Sequence, residues 1–306
     1  MLKKKIVFLL GPTGIGKSAV AISLAKKINA EIISCDSMQV YRKMNILTSK
    51  VSGEQRRKIK HHLLSSIDPS QEYNVAQYRQ EALSICDKLF RKLKIPLFVG
   101  GTGLYYSTIV DGLFPAVPQD KLIRAKLEKQ LKQKGNKYLY RRLSKLDADA
   151  AKKIHPNDAR RIIRALEVYL KTGTRISELQ KKRVGLDQQY EVNIFGLNSD
   201  RQILYNIINQ RVDRMFALGL IGEVKRLLKC KLSQTAQCAI GIRELKGYFS
   251  GQYSLAEAKR LMQRNSRHYA KRQLTWFKKD KRIKWININK KVSPAQIATK
   301  LWKKLS

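Results

Sequence analysis

The residues that most clearly suggest chemistry form a glycine-rich run near the start of the chain. They fit the pattern G-x-x-x-x-G-K-[ST] and are Gly11, Pro12, Thr13, Gly14, Ile15, Gly16, Lys17 and Ser18. Glycines in this pattern let backbone N–H groups turn inward around a phosphate, Lys17 adds a positive charge, and the Ser18 hydroxyl suits Mg²⁺. The run predicts a phosphate site but does not identify the phosphate compound or the bond that breaks.

Two further polar groups follow apolar runs of the chain. Asp36 comes directly after residues 31–35, and Thr102 comes after residues 96–99 within a run of glycines. A carboxylate at such a place can hold a metal ion or accept a proton, although it can also simply cap a turn or a helix. Gln39 offers an amide suited to an adenine edge. The glycines around Thr102 stand where a hydrolytic motor would show acidic residues, which argues against a motor ATPase.

The elements that must position these groups alternate between strand and helix patterns. Strands are predicted at 6–10, 31–35, 96–99, 191–197 and 283–288, and helices at 18–27, 75–93 and 200–218, the last capped by Ser199. This alternation predicts an α/β fold with a parallel-sheet core like that of the P-loop NTPases. Because ligands bind at the carboxyl ends of parallel strands, we expect the phosphate loop, Asp36 and Thr102 to share one crevice.

The chain changes character after Pro115. Residues 115–185 contain 20 Lys and Arg against 7 Asp and Glu, with amphipathic helices predicted at 121–134, 137–146 and 159–171. We therefore predict a core domain of residues 1–114 and 191–306, with a helical insertion domain of residues 115–190. The last third of the chain is predicted to be helical and basic.

Charge and composition indicate the class of partner. The 306 residues include 63 Lys and Arg against 23 Asp and Glu, a formal net charge of +40, with 43% hydrophobic residues. Such a folded but strongly basic chain favours a polyanion, either nucleic acid or an anionic membrane surface. No window approaches the ~20 apolar residues of a membrane span. The four cysteines contain no C-x-x-C pair, so we expect free thiols, no zinc site and a cytoplasmic location.

Cationic residues recur at helical spacing near the end of the chain, together with aromatic ones. The cations are Arg260, Arg264, Arg267 and Lys271, and the interleaved aromatic residues are Tyr269, Trp276 and Phe277. Charge combined with stacking surface is typical of proteins that bind single-stranded nucleic acid. A second cluster, Arg160, Arg161 and Arg164, is predicted near the start of a helix in the insertion.

Together these residues resemble the tRNA dimethylallyltransferases, also called tRNA isopentenyltransferases, over nearly the whole chain. Besides residues 11–18, the matching segments are DSMQVY at 36–41, HHL at 61–63, VGGTGLY at 99–105, IHPND at 154–158, RRIIRALEV at 160–168, AIGIRE at 239–244 and YAKRQLTWF at 269–277. One departure is Leu47, where the family usually has glycine. The chain shows no zinc-finger extension of the eukaryotic kind, which favours a bacterial or organellar form, and we expect the bacterial type.

The resemblance implies transfer of a dimethylallyl group from its diphosphate to N6 of adenine 37, beside the tRNA anticodon. Asp36 would be the general base, Lys17 and a Mg²⁺ ion on Ser18 would stabilise the diphosphate, and Thr102 would help hold the reacting groups. The residues expected to contact the anticodon stem-loop are Asp36, Ser37, Met38, Gln39, Thr102, Arg124, Arg160, Arg161, Ile162, Ile163, Arg164, Ala239, Ile240, Gly241, Ile242, Arg243, Glu244, Arg267, Lys271 and Arg272. We expect the chain to act as a monomer.

Three other functions fit part of the sequence. A P-loop kinase of a small metabolite or nucleotide shares the phosphate loop and an Asp after a strand, but leaves the basic regions unexplained. A non-enzymatic RNA-binding protein explains the charge and leaves the loop without a role. A prenyltransferase that acts on free adenine nucleotides needs no tRNA-binding surface.

Overall fold

The computed structural model describes residues 3–114, 117–186, 189–288 and 292–305. The chain divides into two compact units, a core unit of residues 1–108 and 189–306 and a helical unit of residues 109–188. Among the described residues, the helices are either too short or too polar to cross a membrane.

A six-stranded sheet organises the core unit. Its strands are β1 (Lys5–Leu10), β2 (Ala30–Cys35), β3 (His61–His62), β4 (Ile95–Gly100), β5 (Glu191–Asn198) and β6 (Lys284–Asn287). They lie in the order β3-β2-β4-β1-β5-β6, and every neighbouring pair is parallel. The predicted parallel α/β sheet is therefore confirmed. The short strand β3 was not predicted, because two residues are too few to produce an apolar pattern.

The helices connect and cover these strands. They are α1 (Lys17–Lys27), α2 (Gly53–Lys58), α3 (Val75–Arg91), α4 (Gly103–Val110), α5 (Lys121–Leu146), α6 (Ala148–Lys153), α7 (Ala159–Thr172), α8 (Ile176–Lys181), α9 (Arg201–Ala217), α10 (Leu220–Leu228), α11 (Ile242–Phe249), α12 (Leu255–Phe277) and α13 (Pro294–Trp302). Strands β1, β2 and β4 are almost wholly buried, because helices cover both faces of a parallel sheet. Burial on both faces explains why these strands appear in the sequence as continuous apolar runs.

Two features of the helices bear on the sequence predictions, the N-terminal cap of α9 and a bend inside α5. Helix α9 is capped by Asp200 and not by Ser199, because the Asp200 carboxylate accepts the N–H groups of Gln202 (2.8 Å) and Ile203 (3.2 Å). The span labelled α5 consists of two helical segments that meet at Gly135, so the two helices predicted at 121–134 and 137–146 are confirmed. Gly135 bends the span there, with φ of 74° and ψ of 174°, a conformation open mainly to glycine.

The helical unit has its own core. Helix α7 supplies the largest share of it, because its apolar residues recur every three or four positions and so share one face. That face packs on helix α5 through Leu127, Leu139 and Leu143, which are at most 1% exposed. The amphipathic pattern of α7 is thus used for folding this unit, and its arginines lie around the edge of the buried face.

Candidate active site

The carboxyl ends of three adjacent strands form one edge of the core sheet. Strand β4 lies between β1 and β2, so the loops that follow all three strands meet at that edge. The loop after β1 contains the phosphate-loop glycines, the loop after β2 begins with Asp36, and the loop after β4 contains Thr102. Strand order thus brings together three segments that are up to about 90 residues apart in the sequence.

The phosphate loop has the backbone conformation that its glycines predict. Gly14 and Gly16 have φ values of 85° and 87°, and α1 begins immediately after Gly16. The Lys17 ammonium lies inside the loop, where it donates to the carbonyl oxygens of Gly11 and Pro12, both at 2.8 Å. Burial lowers the pKa of Lys17 to about 7, with the Arg211 charge acting in the same direction and the Asp36 charge opposing it. This loop therefore holds a lysine whose charge is easily stabilised by an added anion.

Asp36 has one oxygen engaged by the backbone and one available. Its Oδ1 accepts the N–H groups of Met38 (2.9 Å) and Gln39 (3.3 Å), which holds the turn after β2. Asp36 therefore does cap the turn after β2, as an aspartate at the end of a strand can. Its Oδ2 accepts no hydrogen bond from the described residues, so one carboxylate oxygen remains for chemistry.

Thr102 fixes the same turn from the neighbouring strand. Its hydroxyl oxygen accepts the Ser37 N–H at 3.0 Å, and its own N–H donates to the Cys35 carbonyl at 3.1 Å. The glycine before the loop is needed for this approach, because a β-carbon at Gly100 would lie 2.0 Å from the Cys35 oxygen. The glycine run thus allows two strand-end backbones to approach closely, and Thr102 orients the Asp36 turn.

Sequence reasoning missed Arg211, which lies at the centre of this edge. Its guanidinium donates to the Thr13 hydroxyl, to Ser49 Oγ (3.0 Å) and to the Thr48 carbonyl (3.3 Å). Burial lowers the pKa of this arginine, and the Asp36 charge partly restores it. A signal was present in the sequence, because Arg211 follows Ile208 by three positions and so shares the buried face of α9.

Gln273 was also missed, although it lies within a segment quoted for the resemblance. The side chain is 5% exposed; it accepts the Thr13 N–H and donates to the Gly101 carbonyl, both at 2.8 Å. One buried amide thus ties the phosphate loop to the loop after β4. Gln273 falls on the buried face of α12 between Ala270 and Phe277, and a glutamine at core spacing was the available signal.

Two cavities meet at these residues. The first, of about 660 Å³, includes Lys17, Ser18 and Gln39, and we call it the phosphate cavity. The second, of about 320 Å³, is the base cavity, and it includes Ser37, Met38, Tyr269 and Arg272. The residues that line both are Thr13, Asp36, Arg211 and Met215. A molecule in one cavity would therefore meet a molecule in the other beside Asp36.

The oxygen groups of the phosphate cavity fit a magnesium ion bound together with phosphate. Mg²⁺ prefers oxygen ligands and usually keeps one or two protein ligands besides phosphate oxygens and water. The Ser18 hydroxyl and the Asp36 carboxylate both line this cavity. Within the described part of the chain there is no group of three His, Cys, Asp or Glu side chains able to hold a metal by itself.

Leu47 fits its loop without strain, although the family usually has glycine there. It does not have a positive φ, so a branched side chain is compatible with the backbone. The backbone N–H groups of residues 45, 46 and 47 donate to the buried Glu223 carboxylate at 3.0, 2.9 and 2.8 Å. Glu223 therefore orders this loop, a role that the sequence did not reveal.

The structure separates the predicted RNA-contacting residues of the core unit into exposed and buried groups. Arg243, Lys271 and Arg272 are exposed, and Ile240 and Arg267 are partly buried. Ala239, Gly241, Ile242 and Glu244 are buried. Glu244 accepts the Gly241 N–H (2.7 Å) and an Asn265 side-chain N–H (2.6 Å), so it caps α11. The RNA contact predicted for these buried residues stays a prediction; in the structure their side chains support the surface around them, and Ala239 lines the base cavity.

Arg267, also predicted to contact RNA, has partners within the protein. Its guanidinium donates to Asn209 Oδ1 at 2.6 Å and lies 5.9 Å from the centre of the Tyr205 ring. Those contacts fix α12 against α9 within the core unit. The exposed arginines and lysines on α12 are Arg260, Arg264, Lys271 and Arg272. Arg260 is paired with Glu257, and the Arg272 guanidinium lies 5.9 Å from the Tyr269 ring.

The same division is found in the helical unit. Arg160 and Arg161 are exposed, whereas Ile162 (0% exposed) and Ile163 (6%) lie in the core of the unit and cannot contact RNA through their side chains. Arg124 (3.1 Å) and Arg164 (2.9 Å) both donate to the fully buried Glu167 carboxylate, which also accepts the Asp120 N–H at 2.7 Å. These two arginines are therefore held by an internal ion cluster.

Comparison with known sequences places the chain in one family. The family model described as IPP transferase matches residues 39–280, and the model described as isopentenyl transferase matches residues 4–66. The chain is 47% identical to the tRNA dimethylallyltransferase of Carboxydothermus hydrogenoformans over 291 residues, which cover 94% of each chain. It is 45% identical to the tRNA dimethylallyltransferase of Thermotoga maritima over 286 residues, or 93% of this chain and 92% of that one.

Solved structures show the same relationship. A full-length tRNA isopentenylpyrophosphate transferase of Bacillus halodurans superposes with a TM-score of 0.72 at 37% identity, over 99% of this chain and 97% of that one. A eukaryotic dimethylallyltransferase acting on tRNA superposes with a TM-score of 0.76 at 32% identity, over 93% of this chain and 74% of that one. The relatives compared above are named tRNA dimethylallyltransferases. From these matches, and from the strand edge that joins the phosphate loop to Asp36, we conclude that the chain belongs to the IPP transferase family.

Proposed function

We propose that this chain transfers a dimethylallyl group from dimethylallyl diphosphate to N6 of adenine 37 in tRNA, releasing diphosphate. The observation that carries the proposal is the junction of the two cavities at Asp36 and Arg211. One cavity has the cations of a diphosphate site, and the other combines apolar side chains with groups that can bond a base. The relatives named tRNA dimethylallyltransferase support this assignment.

In the reaction, the adenine N6 attacks C1 of the dimethylallyl group while the bond from C1 to the diphosphate oxygen breaks. The diphosphate leaves with the electron pair of that bond, and the proton released from N6 passes to Oδ2 of Asp36. Oδ1 stays bound to the turn, so Asp36 keeps its orientation while it takes the proton. The general base is thus positioned by Thr102 and by its own backbone turn.

The cations of the phosphate cavity stabilise the leaving group. Lys17 and Arg211 are both desolvated, and buried charges act more strongly on a developing anion than exposed ones do. An anion in the loop raises the pKa of Lys17 again, so the lysine is protonated in the complex. A Mg²⁺ ion held by the Ser18 hydroxyl would supply further positive charge to the diphosphate oxygens.

The target base must leave its stack to reach the base cavity. Gln39 lies on the phosphate-cavity side of the junction and donates its side-chain N–H to the Thr48 carbonyl at 3.1 Å, which leaves its amide oxygen for a donor of a base that reaches Asp36. The Tyr269 phenol stays neutral, because burial and the nearby Asp36 charge raise its pKa. These groups favour a neutral purine over a charged metabolite.

The exposed cations bind the anticodon arm of the tRNA. The protein acts as a monomer. In the helical insertion, predicted as residues 115–190, the exposed cations are Arg160 and Arg161; in the core unit they are Arg243, Lys271 and Arg272. Cations on a surface bind the phosphate backbone and release its counterions, so their contribution depends on salt. The net charge of +40 is consistent with that use.

The test is incubation of the protein with radiolabelled dimethylallyl diphosphate, Mg²⁺ and unmodified tRNA, followed by nucleoside analysis. We expect the label in a single modified adenosine at position 37. AMP in place of tRNA should give little product, because it lacks the phosphates that the basic surfaces bind. Transfer of the γ-phosphate of ATP at an enzymatic rate, without dimethylallyl transfer, would establish the kinase alternative instead.

A further inference from the structure

The hydroxyl of Ser34 is a buried polar group that the chemistry described so far does not use. Ser34 lies in β2, two residues before Asp36, and is 5% exposed. Its side-chain oxygen is buried and has no hydrogen-bond partner among the described residues. A buried polar group without a partner costs about 1–3 kcal/mol, so a folded protein rarely keeps one unless it binds a ligand or a water.

The pleat of β2 directs this hydroxyl into the phosphate cavity. Side chains alternate between the two faces of a strand, so Ile32, Ser34 and Asp36 share one face. All three line the phosphate cavity, whereas the intervening Ile33 and Cys35 do not. The Ser34 hydroxyl therefore faces the space proposed for the diphosphate and its ion.

The backbone of Ser34 is held firmly. Its carbonyl accepts the Tyr78 hydroxyl at 3.1 Å, and its strand lies between β3 and β4 in the sheet. A serine side chain turns about a single bond and has three staggered positions, so little freedom is lost when its hydroxyl binds a partner. The fold thus presents a positioned hydroxyl at this wall of the cavity.

The start of α1 forms another wall of the same cavity. Ser18 and Ala21 are three positions apart, so they lie on the same side of the helix, and both line the cavity. Helix α1 packs against β2 and β4. The Ser18 hydroxyl is the group proposed to bind Mg²⁺, and Ser34 borders the same space from the sheet.

The register of the sheet argues against direct contact between Ser34 and the phosphates. Val99 of β4 pairs with Ser34 on one side and with Leu9 of β1 on the other. Ser34 is therefore level with Leu9, two residues before the phosphate loop begins at Gly11. At the rise of a parallel strand that is about 6–7 Å, which exceeds a hydrogen bond to a phosphate held by the loop.

A water bound to the metal ion has the size and the chemistry to bridge this gap. Mg²⁺ loses its waters reluctantly and usually keeps several of them among its six ligands. A serine hydroxyl can accept a hydrogen bond from such a water. Protein groups that bond the ligands of a metal ion orient those ligands and raise the affinity for the metal.

Building on the magnesium site of the proposed function, we propose that Ser34 binds a water ligand of the Mg²⁺ ion and so holds the ion between Ser18 and the diphosphate. Ser34 is a positioning residue in this assignment, because it contacts neither the base nor the dimethylallyl group.

The test measures metal binding without turnover, with inorganic diphosphate as the ligand and Mn²⁺ as the ion, whose free form is counted by its EPR signal. Ser34→Ala and Ser34→Cys remove the hydroxyl, and Ser34→Thr keeps it. The control is Ser177→Ala, which removes the hydroxyl of another buried serine, one that lines neither cavity.

We expect the Kd for Mn²⁺ in the diphosphate complex to rise by about tenfold or more in Ser34→Ala and Ser34→Cys, in line with the ~10–100-fold effect of removing a group that bonds a metal ligand. Ser34→Thr should stay within about threefold of the wild type, and Ser177→Ala should not change the Kd. Ser34→Cys keeps the side-chain volume and remains informative if Ser34→Ala folds poorly.

A second measurement separates a bond to the metal ligand from a bond to phosphate. In EDTA, the Kd for diphosphate should be the same within about twofold in the wild type and in Ser34→Ala, because Ser34 acts only through the ion. Equal losses of diphosphate affinity with and without the metal would overturn the proposal, as would an unchanged Kd for Mn²⁺ in both variants that lack the hydroxyl. Either result would leave dimethylallyl transfer untouched, whereas a wild-type protein that binds the metal through Ser34 and transfers no dimethylallyl group would overturn the proposed function alone.

Discussion

The edge of the core sheet and the helical unit use their charged residues in opposite ways. At the edge of the sheet the charges are brought inside, where Lys17 and Arg211 are desolvated and act beside Asp36. In the helical unit the only buried charged side chains among the described residues are the carboxylates of Asp147 and Glu167, and most cations lie on the surface. The first arrangement suits chemistry, because desolvation strengthens each interaction with a reacting group.

The second arrangement suits a binding surface. Exposed cations interact with phosphates through solvent, so each contributes modestly and is screened by salt. Burial alone would raise the pKa of Glu167, but the Arg164 hydrogen bond, the Asp120 N–H and the Arg124 charge outweigh it and hold that pKa below 4.5. The buried carboxylate is thus a structural group. We therefore expect single substitutions at the sheet edge to abolish catalysis, and substitutions in the helical unit to change either folding or affinity.

The largest effect is expected at Lys17. In Lys17→Met the leaving diphosphate loses its closest cation, so kcat/KM for dimethylallyl transfer should fall by about 10³-fold. Steady-state assays with tRNA at saturation measure this change, and Lys26→Met, on the exposed last turn of α1, is the control. A Lys17→Met protein within about tenfold of the wild type would mean that the loop does not hold the leaving group.

The next effect is on the stability of the helical unit. Glu167→Gln leaves Arg124 and Arg164 without their shared anion, and breaking a buried ion pair destabilises by about 3–5 kcal/mol. Because the pKa of Glu167 is lowered on folding, its contribution is complete above pH 4.5 and is lost as the pH falls through the folded value. Hydrogen exchange of residues 109–188 measures the change.

The control for that prediction is Glu178→Gln. Glu178 pairs with Arg175 at 3.8 Å and its side chain is 49% exposed, so we expect a loss of less than about 1 kcal/mol. Equal protection from exchange in the Glu167→Gln and Glu178→Gln proteins would show that the ion cluster does not hold the unit together.

A smaller effect is expected on the exposed face of α12. Removal of two phosphate contacts in Arg264→Ala/Lys271→Ala should lower the slope of log Kd for tRNA against log salt by about 1.5, since each contact contributes ~0.7–0.9. Fluorescence titration at several salt concentrations measures it. Arg260→Ala should change the slope less, because Arg260 already binds Glu257 through two bonds of 2.6 Å. If Arg260→Ala lowers the slope more than Arg264→Ala/Lys271→Ala does, the face of α12 that contains Arg264 and Lys271 is not the RNA surface.

The smallest signal is the proton taken up when the diphosphate binds. The pKa of free Lys17 is about 7 and rises towards its ordinary value of 10.5 beside an anion, so binding should take up nearly one proton at pH 8 and almost none at pH 6. Calorimetry in two buffers of different ionisation enthalpy measures the uptake, and Lys17→Met should lack this component. Equal uptake by the wild-type and Lys17→Met proteins at pH 8 would contradict the lowered pKa.

Much of the sheet edge follows from local sequence patterns. The phosphate loop, Asp36 and Thr102 each follow an apolar run, and parallel strands align their carboxyl ends. Arg211 and Gln273 act on the same loops from α9 and α12, so their roles depend on how distant helices pack. A polar residue at core spacing marks such a position, but it does not reveal the partner.

The RNA surface was harder to predict for a related reason. In the sequence, a lysine or arginine that faces solvent cannot be told from one that pairs with an internal carboxylate. Arg164 and Arg161 differ by three positions, yet Arg164 binds the buried Glu167 and Arg161 is exposed. Only the packing of α7 on α5 decides between these two uses. Glu167 was the residue that carried the information, since a lone acid on an apolar helix face requires a cationic partner.

The central claim is that the sheet edge performs the reaction and the helical unit binds tRNA. It is tested most directly by measuring, for two variants side by side, the single-turnover rate by rapid quench and the Kd for tRNA. In Asp36→Asn the turn keeps its Oδ1 acceptor, so the rate in the bound complex should fall by about 10²–10⁴-fold while the Kd changes by less than about threefold. In Arg160→Ala/Arg161→Ala the Kd should rise by about tenfold or more with the rate at saturating tRNA unchanged. A near-normal rate in Asp36→Asn, or a slow bound complex with unchanged Kd in the arginine variant, would contradict the account.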